Sequence, residues 1–383
     1  MENLQKILSE IIADFIPDFK SIEDISRLSG GSSNESWKIT LNTKENKKKI
    51  VFRRTPGGNL KDEESNNFVD IVDEAKVMNI ANDYNVPVPK IIKVINNNNI
   101  GKGFFMDFIE GETLGNRIVN SDKFKIIRPR LAKKCGEIIA NIHKIPISKF
   151  DNIKTSEAED ELLKYEEVYR THNQDIPVFE YTISWLKDNI PKKITKKLIH
   201  GDFRNGNLII SNNNLIPGVL DWELFHLGDP YEDLSWICVN SWRFNKIELP
   251  VGGFGEREDM YISYEKVLGK KLDRERLKFW EVLGTLKWGI MCLNMIEIYR
   301  SGYDKSIDRA SIGRRSSETE IDLIIANAIR EDVGDGDHSS LACIPASANG
   351  KAKLLVKDEG IIAGVEFAGG KAAEPIIDKN KNV

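Results

Sequence analysis

The segment His200-Gly201-Asp202-Phe203-Arg204-Asn205-Gly206-Asn207 lies between two short apolar runs, and its Gly and Asn residues indicate a loop that leads into a β-hairpin. We expect the arms of this hairpin at about Leu208 to Ile210 and Leu215 to Leu220. The returning arm brings Asp221 back to the end at which Asn207 begins the first arm. The side chains of Asn207 and Asp221 should therefore be neighbours.

The polar side chains of this region have a pattern that suits a metal ion and a proton acceptor. An amide oxygen beside a carboxylate fits Mg²⁺, which takes few protein oxygens and fills its other positions with water or phosphate. We therefore predict Asn207 and Asp221 as metal ligands, and Asp202 as the catalytic carboxylate that orients a hydroxyl and receives its proton. For each residue alone, ordinary turn chemistry is the alternative. His200-Gly201 before them and Asp229-Pro230 after them favour the catalytic interpretation.

Around this hairpin, apolar periodicity predicts a sheet-rich first part and a helical second part. Val86-Pro87-Val88-Pro89 cannot remain helical and ends the helix before it. From Ile126 onward the apolar spacing is helical, as on the helix that ends near His143. The expected strands are Ile25 to Ser33, Glu35 to Leu41, Lys49 to Arg54, Ile91 to Ile95 and Phe104 to Ile109, and the expected helix among them runs from about Asn67 to Tyr84.

Several residues near the loop are predicted to be structural. Asp229 and Asp233 are interpreted as residues that cap or brace the following helix, and His200 as one that fixes its own loop. Tryptophans at helical spacing are expected in the core rather than in a substrate pocket, and isolated histidines form no metal pattern. These residues are Trp236, Trp242, Trp280 and Trp288, and His143, His172 and His226.

At the His-Gly-Asp loop the sequence resembles the aminoglycoside-phosphotransferase-like family, a relative of the protein kinases. The resemblance also includes the glycine-containing turn, the helix that carries Glu74, the hinge, and the segment that follows Asp221. It extends in order over roughly Leu28 to Asp322. The matching stretches are Leu28 to Glu35, Glu74 through Pro89, Phe105 to Gly111, and Asp221 through Leu234.

The resemblance implies a nucleotide site as well as the metal ligands and the catalytic Asp202. Arg53 would replace the phosphate-binding lysine and pair with Glu74, and an arginine can grip phosphate through two hydrogen bonds. The alternatives are a common two-glycine hairpin turn and a surface ion pair of little consequence. The other expected nucleotide contacts are Gly30, Gly31, Ser32 and Ser33 in the turn, and Asp107, Phe108 and Ile109 in the hinge.

Two further stretches, Arg53 to Gly58 and Ser311 to Arg315 with Glu318 and Glu320, resemble one branch of this family. The branch is related to the kinase domains attached to acyl-CoA dehydrogenases. It implies phosphorylation of a hydroxyl group on a small metabolite. A hydroxyacyl thioester is then the candidate acceptor, and an aminoglycoside is less favoured.

Near Asp322 the composition shifts from Lys- and Asn-rich to Ala-, Gly- and Asp-rich, which predicts a junction. Glu331 to Ser340 and Lys353 to Val365 resemble the opening of quinolinate phosphoribosyltransferase. Most of that enzyme's substrate site lies on a barrel for which no sequence remains here, so phosphoribosyl transfer is not expected. We interpret the tail as a gene fusion or an artefact.

Composition indicates which partners and which cellular compartment are expected. The 55 basic and 59 acidic residues give a net charge of −4 and are spread along the chain, so nucleic acid is not an expected partner. No signal peptide or membrane-spanning run is found, which predicts a cytoplasmic protein without a membrane partner. The four cysteines have neither metal-ligand spacing nor a compact disulfide framework, as is typical of a reducing compartment. They are Cys135, Cys238, Cys292 and Cys343.

Together these observations predict an α+β, protein-kinase-like bilobal fold. Residues 1–107 would form the nucleotide-binding lobe with a small antiparallel sheet, 108–322 the helical lobe, and 323–383 the tail. The predicted function is ATP- and Mg²⁺-dependent phosphorylation of a hydroxyl group on a small-molecule substrate. A nucleotide-binding pseudokinase with a regulatory role remains open as an alternative, and so, more remotely, does the phosphoribosyltransferase suggested by the tail.

Overall fold

The computed structural model describes residues 2–28, 34–55, 69–97, 99–151, 153–192, 194–316 and 318–319. The chain divides into two units, Met1–Ile324 and Ile325–Val383, and the described residues all belong to the first. The tail predicted to resemble a phosphoribosyltransferase therefore lies outside the described residues. So do four residues of the predicted nucleotide loop, namely Gly30, Gly31, Ser32 and Ser33.

The first part of the chain forms a five-stranded antiparallel sheet with the strand order β1-β2-β3-β5-β4. Its strands are β1 Phe19–Arg27, β2 Glu35–Thr43, β3 Lys47–Arg54, β4 Ile91–Asn97 and β5 Gly101–Asp107. Two short antiparallel pairs follow later in the chain, β6 Lys197–Ile199 with β9 His226–Gly228, and β7 Leu208–Ser211 with β8 Leu215–Val219. Within the described residues, every helix but two comes after the five-stranded sheet.

The helices confirm the predicted change from a sheet-rich part to a helical part, and hence the α+β class. Two accompany the sheet, α1 Glu2–Phe15 and α2 Ile71–Asp83. The others are α3 Gly115–Asn120, α4 Leu131–Lys144, α5 Ala158–Thr171, α6 Pro177–Asp188, α7 Tyr231–Trp236, α8 Arg257–Leu268, α9 Arg274–Ser301 and α10 Ile307–Gly313. Among the described residues, no helix combines the length and the apolar character that a membrane span requires.

The two faces of the sheet enter different cores because side chains alternate along each strand. Phe52 and Phe105 face each other across β3 and β5 with stacked rings whose centroids are 4.7 Å apart, and they pack with α1. Val51 and Phe104 project from the opposite face into the core that contains the buried side of α2. Arg53 shares the face of Val51, as predicted, and is thereby directed toward α2.

Some element boundaries differ from the predicted ones. The helix α2 begins at Ile71 rather than Asn67 because the side chain of Asp70 caps it, accepting a hydrogen bond from Val72 N at 2.8 Å. The first strand runs over Phe19–Arg27 rather than starting at Ile25, since its partner strand extends to Thr43. Propensity does not determine such boundaries, which depend on strand pairing and capping contacts.

The chain leaves the sheet at Asp107 and docks on the β7–β8 hairpin. Glu112 and Ile210 exchange two backbone hydrogen bonds, of 2.9 and 2.8 Å. The close approach requires a glycine beside them, since a Cβ at Gly111 would lie 2.3 Å from Ile209 Cγ2 and 2.9 Å from the Ile210 carbonyl oxygen. This contact ties the connection between the sheet and the helical part to the hairpin of the predicted site.

Replacing Gly111 by alanine should destabilise the protein, because the added methyl group would collide with the backbone of Ile210. We expect the free energy of unfolding in urea to fall by about 1–3 kcal/mol, the usual cost of overpacking. Glu110→Ala is the matched control, since its exposed side chain makes only a surface ion pair with Lys49. Equal urea midpoints for Gly111→Ala and Glu110→Ala would contradict this prediction.

Candidate active site

The Asp202 loop turns at a position that only glycine fits. Gly201 has a φ of 82°, and a Cβ there would lie 2.5 Å from the Leu224 carbonyl oxygen. His200, fully buried before it, accepts a hydrogen bond from Asp202 N at Nδ1 and donates from Nε2 to the Leu220 carbonyl oxygen, at 3.2 and 3.1 Å. Burial lowers the pKa of His200, in keeping with a neutral ring. These contacts are those of a residue that fixes the loop.

The carboxylate of Asp202 is oriented by three donors. Its Oδ1 accepts hydrogen bonds from Arg204 Nε at 2.8 Å and from Trp236 Nε1 at 2.7 Å. Its Oδ2 accepts one from Asn207 Nδ2 at 2.6 Å. The Arg204 guanidinium also stacks on the Trp242 ring, 4.5 Å from the centroid, which limits its freedom. The position of the carboxylate is therefore set by groups on two different elements.

Asn207 and Asp221 lie at the same end of the β7–β8 hairpin, as the sequence predicts. Leu220 N donates to the Asn207 carbonyl oxygen at 2.8 Å, immediately before Asp221. The amide nitrogen of Asn207 is held by the backbone oxygen and Oδ2 of Asp202, so its amide oxygen faces away from Asp202. Asp221 has a φ of 66°, an unusual backbone conformation of the kind that clusters at functional sites.

Arg53 is buried among three carboxylates. Its Nε donates to Glu74 at 3.0 Å, and its Nη2 donates to Asp221 at 2.6 Å and to Glu223 at 3.1 Å. The predicted pair with Glu74 is thus a buried contact rather than a surface ion pair. Among the described residues, Nη1 of Arg53 has no hydrogen-bond partner. One guanidinium therefore joins β3, α2 and the segment after β8.

This cluster carries more negative than positive charge. Burial lowers the pKa of Arg53, but the charges of Glu74, Asp221 and Glu223 outweigh it and raise that pKa above its ordinary value. Burial raises the pKa of Glu74, and the charge of Asp221 raises it further against the opposing effect of Arg53. Three carboxylates share one guanidinium, so an added cation would be stabilised here.

The backbone of the Asp202 loop is hydrogen-bonded to Asp233, which is fully buried on α7. Its two carboxylate oxygens accept the backbone N–H groups of His200 and Gly201 at 2.9 and 3.0 Å. His143 Nε2 lies 3.2 Å from the same carboxylate, and its Nδ1 lies 2.8 Å from the Tyr264 hydroxyl. Burial raises the pKa of Asp233, but these hydrogen bonds outweigh it and hold the pKa below its usual range. Asp233 thus braces the Asp202 loop.

The predicted hinge residues lie where β5 ends. Asp107 is the last residue of β5, and Phe108 N donates to the Lys49 carbonyl oxygen at 3.5 Å. Ile109 reaches the hairpin, since a Cβ at Gly218 would lie 3.2 Å from its Cδ1. All three are half-buried. They lie where the chain passes from the sheet to the helical part, and their role as nucleotide-binding hinge residues stays a prediction.

Several residues at this site have roles that the sequence analysis did not assign. Glu223 could have been found, because it lies two residues after Asp221 in the segment that resembles the family, and both carboxylates bind Nη2 of Arg53. Trp236 was expected in the core, and although buried, its indole N–H contacts Asp202. His143 was assigned no role, and its contacts to Asp233 and Tyr264 join distant parts of the chain that no local pattern relates.

A second buried charge network joins α5, α7 and α9 to β9. Lys287 Nζ lies 3.3 Å from Glu161 Oε2 and 3.7 Å from Glu232 Oε1, and His226 Nε2 lies 3.1 Å from Glu232 Oε2. Burial lowers the pKa of His226, but Glu232 outweighs burial and raises it to about 9. Burial raises the pKa of Glu161, but the charge of Lys287 outweighs it and lowers the pKa to about 2. His226 and Glu161 are therefore both charged near neutral pH.

Asp233→Asn should weaken the support of the loop, because an amide replaces one acceptor oxygen by a donor that faces another N–H group. The lost hydrogen bonds are buried, so we expect the free energy of unfolding in urea to fall by about 3 kcal/mol. Asp259→Asn, on the partly exposed face of α8, is the matched control and should be nearly neutral. A wild-type urea midpoint for Asp233→Asn would show that the loop does not depend on this carboxylate.

Stability should decrease as the pH rises above neutrality, because His226 has a folded pKa of about 9 against an ordinary value of 6.5. Its contribution is fully present below pH 6.5 and is lost as the pH passes through 9, up to about 3 kcal/mol. Urea unfolding at several pH values in this window should show a steeper loss for the wild type than for His226→Gln. Parallel pH profiles for the two proteins would refute the assignment.

Several known proteins are similar to this chain in sequence. The sequence model of the phosphotransferase enzyme family, APH, matches residues 24–269, more than half of the chain. Acyl-CoA dehydrogenase family member 10 of Mus musculus is 26% identical over 222 residues, which are 55% of this chain and 20% of that protein. An Arabidopsis thaliana protein named as the acyl-CoA dehydrogenase IBR3 is 24% identical over 332 residues, 78% of this chain and 38% of that protein. The chain thus spans well under half of each of these relatives.

Solved structures show the same fold at low sequence identity. A Ralstonia eutropha protein described as a candidate aminoglycoside phosphotransferase has a TM-score of 0.64 at 19% identity, covering 82% of this chain and 95% of its own. Choline kinase from Cryptosporidium parvum has a TM-score of 0.56 at 14% identity, covering 85% and 96%. The kinase-like bilobal fold is therefore confirmed. With its sequence matched over most of its described length, this chain belongs to the phosphotransferase enzyme family.

Proposed function

We propose that this chain is a small-molecule kinase that transfers the terminal phosphoryl group of ATP to a hydroxyl group. The observation that carries the proposal is the joint orientation of Asp202 and Asn207. The amide nitrogen of Asn207 holds the Asp202 carboxylate at 2.6 Å, which leaves the amide oxygen available at the hairpin end that also carries Asp221. Membership of a phosphotransferase family agrees with this use of the residues.

The residues at the hairpin end fit Mg²⁺. Within the described residues no group of three or more His, Cys, Asp or Glu side chains could hold a metal ion. Mg²⁺ does not need such a group, because one or two protein oxygens suffice when phosphates and water supply the others. Asn207 and Asp221 would hold it, and the excess of carboxylates around Arg53 favours a cation there. When bound, Mg²⁺ supplies charge neutralisation for the phosphates.

Nucleotide binding is assigned to Arg53 and to the hinge. Among the described residues, Nη1 is the nitrogen of the Arg53 guanidinium without a hydrogen-bond partner, and we assign it to a phosphate oxygen. Glu74 and Glu223 hold the rest of the side chain. Asp107, Phe108 and Ile109 would border the base at the passage between the sheet and the helices. ATP is the proposed donor.

The chemistry assigned to Asp202 is positioning and proton acceptance. Its carboxylate would accept a hydrogen bond from the acceptor hydroxyl and direct the oxygen at the terminal phosphorus. The new bond joins that oxygen to phosphorus, the bond from phosphorus to the bridging oxygen breaks, and the nucleoside diphosphate leaves. The hydroxyl proton passes to Asp202. Arg204 and Trp236 keep the carboxylate in place throughout.

The acceptor is proposed to be a metabolite rather than an aminoglycoside. Both curated relatives carry the name of acyl-CoA dehydrogenases, and the matched part is a fraction of each. A hydroxyacyl thioester is therefore the acceptor that we favour. The solved structures show the fold alone and do not distinguish among acceptors.

Asp202→Asn should reduce turnover by about 10²–10⁴-fold while leaving nucleotide affinity near the wild-type value, because the amide cannot accept the proton. Asp221→Asn, which tolerates the same backbone conformation, should instead weaken Mg²⁺-dependent nucleotide binding by about 10- to 100-fold. Turnover is measured by nucleoside diphosphate release with hydroxyacyl thioesters, other hydroxyl-bearing metabolites and aminoglycosides. Binding is measured by calorimetry with and without Mg²⁺.

Two outcomes would overturn the proposal. Wild-type turnover in Asp202→Asn would remove the catalytic role of that residue. Nucleotide binding without turnover on any acceptor would favour the pseudokinase.

A further inference from the structure

A cavity of about 460 Å³ opens beside the Asp202 loop. Gly201 and Glu223, next to the proposed catalytic and metal residues, form part of its wall. The rest comes chiefly from α2, α5, α7 and α9, from the loop before α5 that carries Lys154, and from residues 224–226. Its volume lies in the range of small-molecule sites. The proposed function needs a place for the acceptor but does not state the charge of that acceptor.

The cavity is connected to Asp202 through one tryptophan as well as through Gly201. Lys287 lines the cavity, and its Nζ lies 5.2 Å from the centroid of the Trp236 ring. The indole nitrogen of Trp236 donates to Asp202 Oδ1. Lys287 and Trp236 thus lie between the cavity and the Asp202 carboxylate on this side, whereas Gly201 lines the cavity and precedes Asp202 directly in the chain.

The carboxylates in the wall are mostly engaged by protein cations. Asp70 pairs with Lys102, Asp73 with Lys76, and Glu223 with Arg53. Glu161 and Glu232 belong to the network of Lys287 and His226 described above. Asp151 is exposed at the rim. The acidic side chains of the interior therefore already have cationic partners.

Three lysines of the wall have no such partner among the described residues, and two of them, Lys149 and Lys154, are exposed. Lys154 and Lys164 line the cavity, and neither forms an ion pair with any residue that the structure describes. Lys164 is half-buried, and burial is the largest cause that lowers its pKa. The positive charges of Lys287 and Lys154 lower it further, and Glu161 offsets only part of this. An anion between these ammonium groups would offset both the repulsion between the lysines and the cost of burying the charge of Lys164.

We infer that this cavity binds the acceptor alcohol and that the acceptor carries an anionic group, a carboxylate or a phosphate, held by Lys154 and Lys164. The inference rests on the proposed function and narrows its substrate class. A cationic alcohol would meet the same ammonium groups as like charges and should be rejected. The hydroxyl end of the acceptor would point toward Gly201 and Asp202, with the anionic end between Lys164 on α5 and Lys154 in the loop before it.

The inference is tested with several series of acceptors that are matched in shape and differ in charge. Straight-chain hydroxy acids of increasing length are compared with their phosphorylated analogues, their neutral amides and amino alcohols of equal length. We expect turnover to favour one of the two anionic series over the amides by about tenfold or more in kcat/KM, and the amino alcohols to be poorest. The better of the two anionic series identifies carboxylate or phosphate as the group recognised.

Substitutions of the two lysines test whether they bind the anionic group of the acceptor. Lys164→Gln and Lys154→Gln should raise KM for the anionic acceptor by about 10- to 100-fold with little change in kcat, and should leave KM for the amide unchanged. Lys164→Arg should retain much of the affinity because it keeps the charge. Lys278→Gln is the matched control: it removes the same charge from an exposed position on α9 outside the cavity, and it should behave as the wild type.

A binding measurement separates this inference from the proposed function. Calorimetry of the full chain with the same acids, without nucleotide, should show binding that weakens in Lys164→Gln and not in Lys278→Gln. If no anionic series member binds the wild type, or if all bind Lys164→Gln equally well, the inference is overturned even when phosphotransfer is observed. If acids bind as expected but no acceptor is phosphorylated, the anion site stands and the proposed function falls. Equal or better turnover of the amino alcohols would also overturn the inference.

Discussion

The buried guanidinium of Arg53 is the interaction on which the arrangement of this site depends. It lies on a strand of the sheet and binds carboxylates from α2 and from the segment after the β7–β8 hairpin. Removing one partner of a buried ion pair generally costs about 3–5 kcal/mol, because the remaining charge is left without compensation. The sheet and the end of the hairpin that carries Asn207 and Asp221 are therefore coupled through this single side chain. The same cluster has an excess of carboxylates that makes it receptive to a cation.

A second constraint acts from the helical side. Asp233 accepts the backbone N–H groups of His200 and Gly201, and His200 in turn links the Asp202 backbone to Leu220. The loop that carries Asp202 and the segment that carries Asp221 are thus held by one chain of hydrogen bonds. Preorganisation of this kind lets an active site position its reacting groups without reorganising during the reaction. The proposed acceptor cavity shares α2, Gly201 and Glu223 with this framework, and it adds Lys164 from α5 and Lys287 from α9.

Much of the framework follows from local sequence. The spacing of Asp202 and Asn207, with a hairpin that returns at Asp221, predicted that Asn207 and Asp221 lie at one end of that hairpin, because a short hairpin has few possible registers. Alternation along β3 placed Arg53 on the face of Val51 and hence toward the helix that carries Glu74. The division into a sheet-rich part and a helical part followed from apolar periodicity, and the family resemblance was confirmed by the family match. Boundaries were less accurate because capping by Asp70 and strand pairing decide them.

The sequence by itself thus determined the fold class, the family and the local geometry of the loop, since each depends on residues that are close along the chain or on a recognisable motif. Only the tertiary structure brought Trp236 to Asp202, His143 to Asp233, and Glu223 with Asp221 to Arg53. It also decided that Lys154 and Lys164 share a cavity wall with Lys287, far along the chain on α9. Such contacts join residues whose separation in sequence carries no periodic signal. They exist because packing of the helices against the loop closes the distance between them.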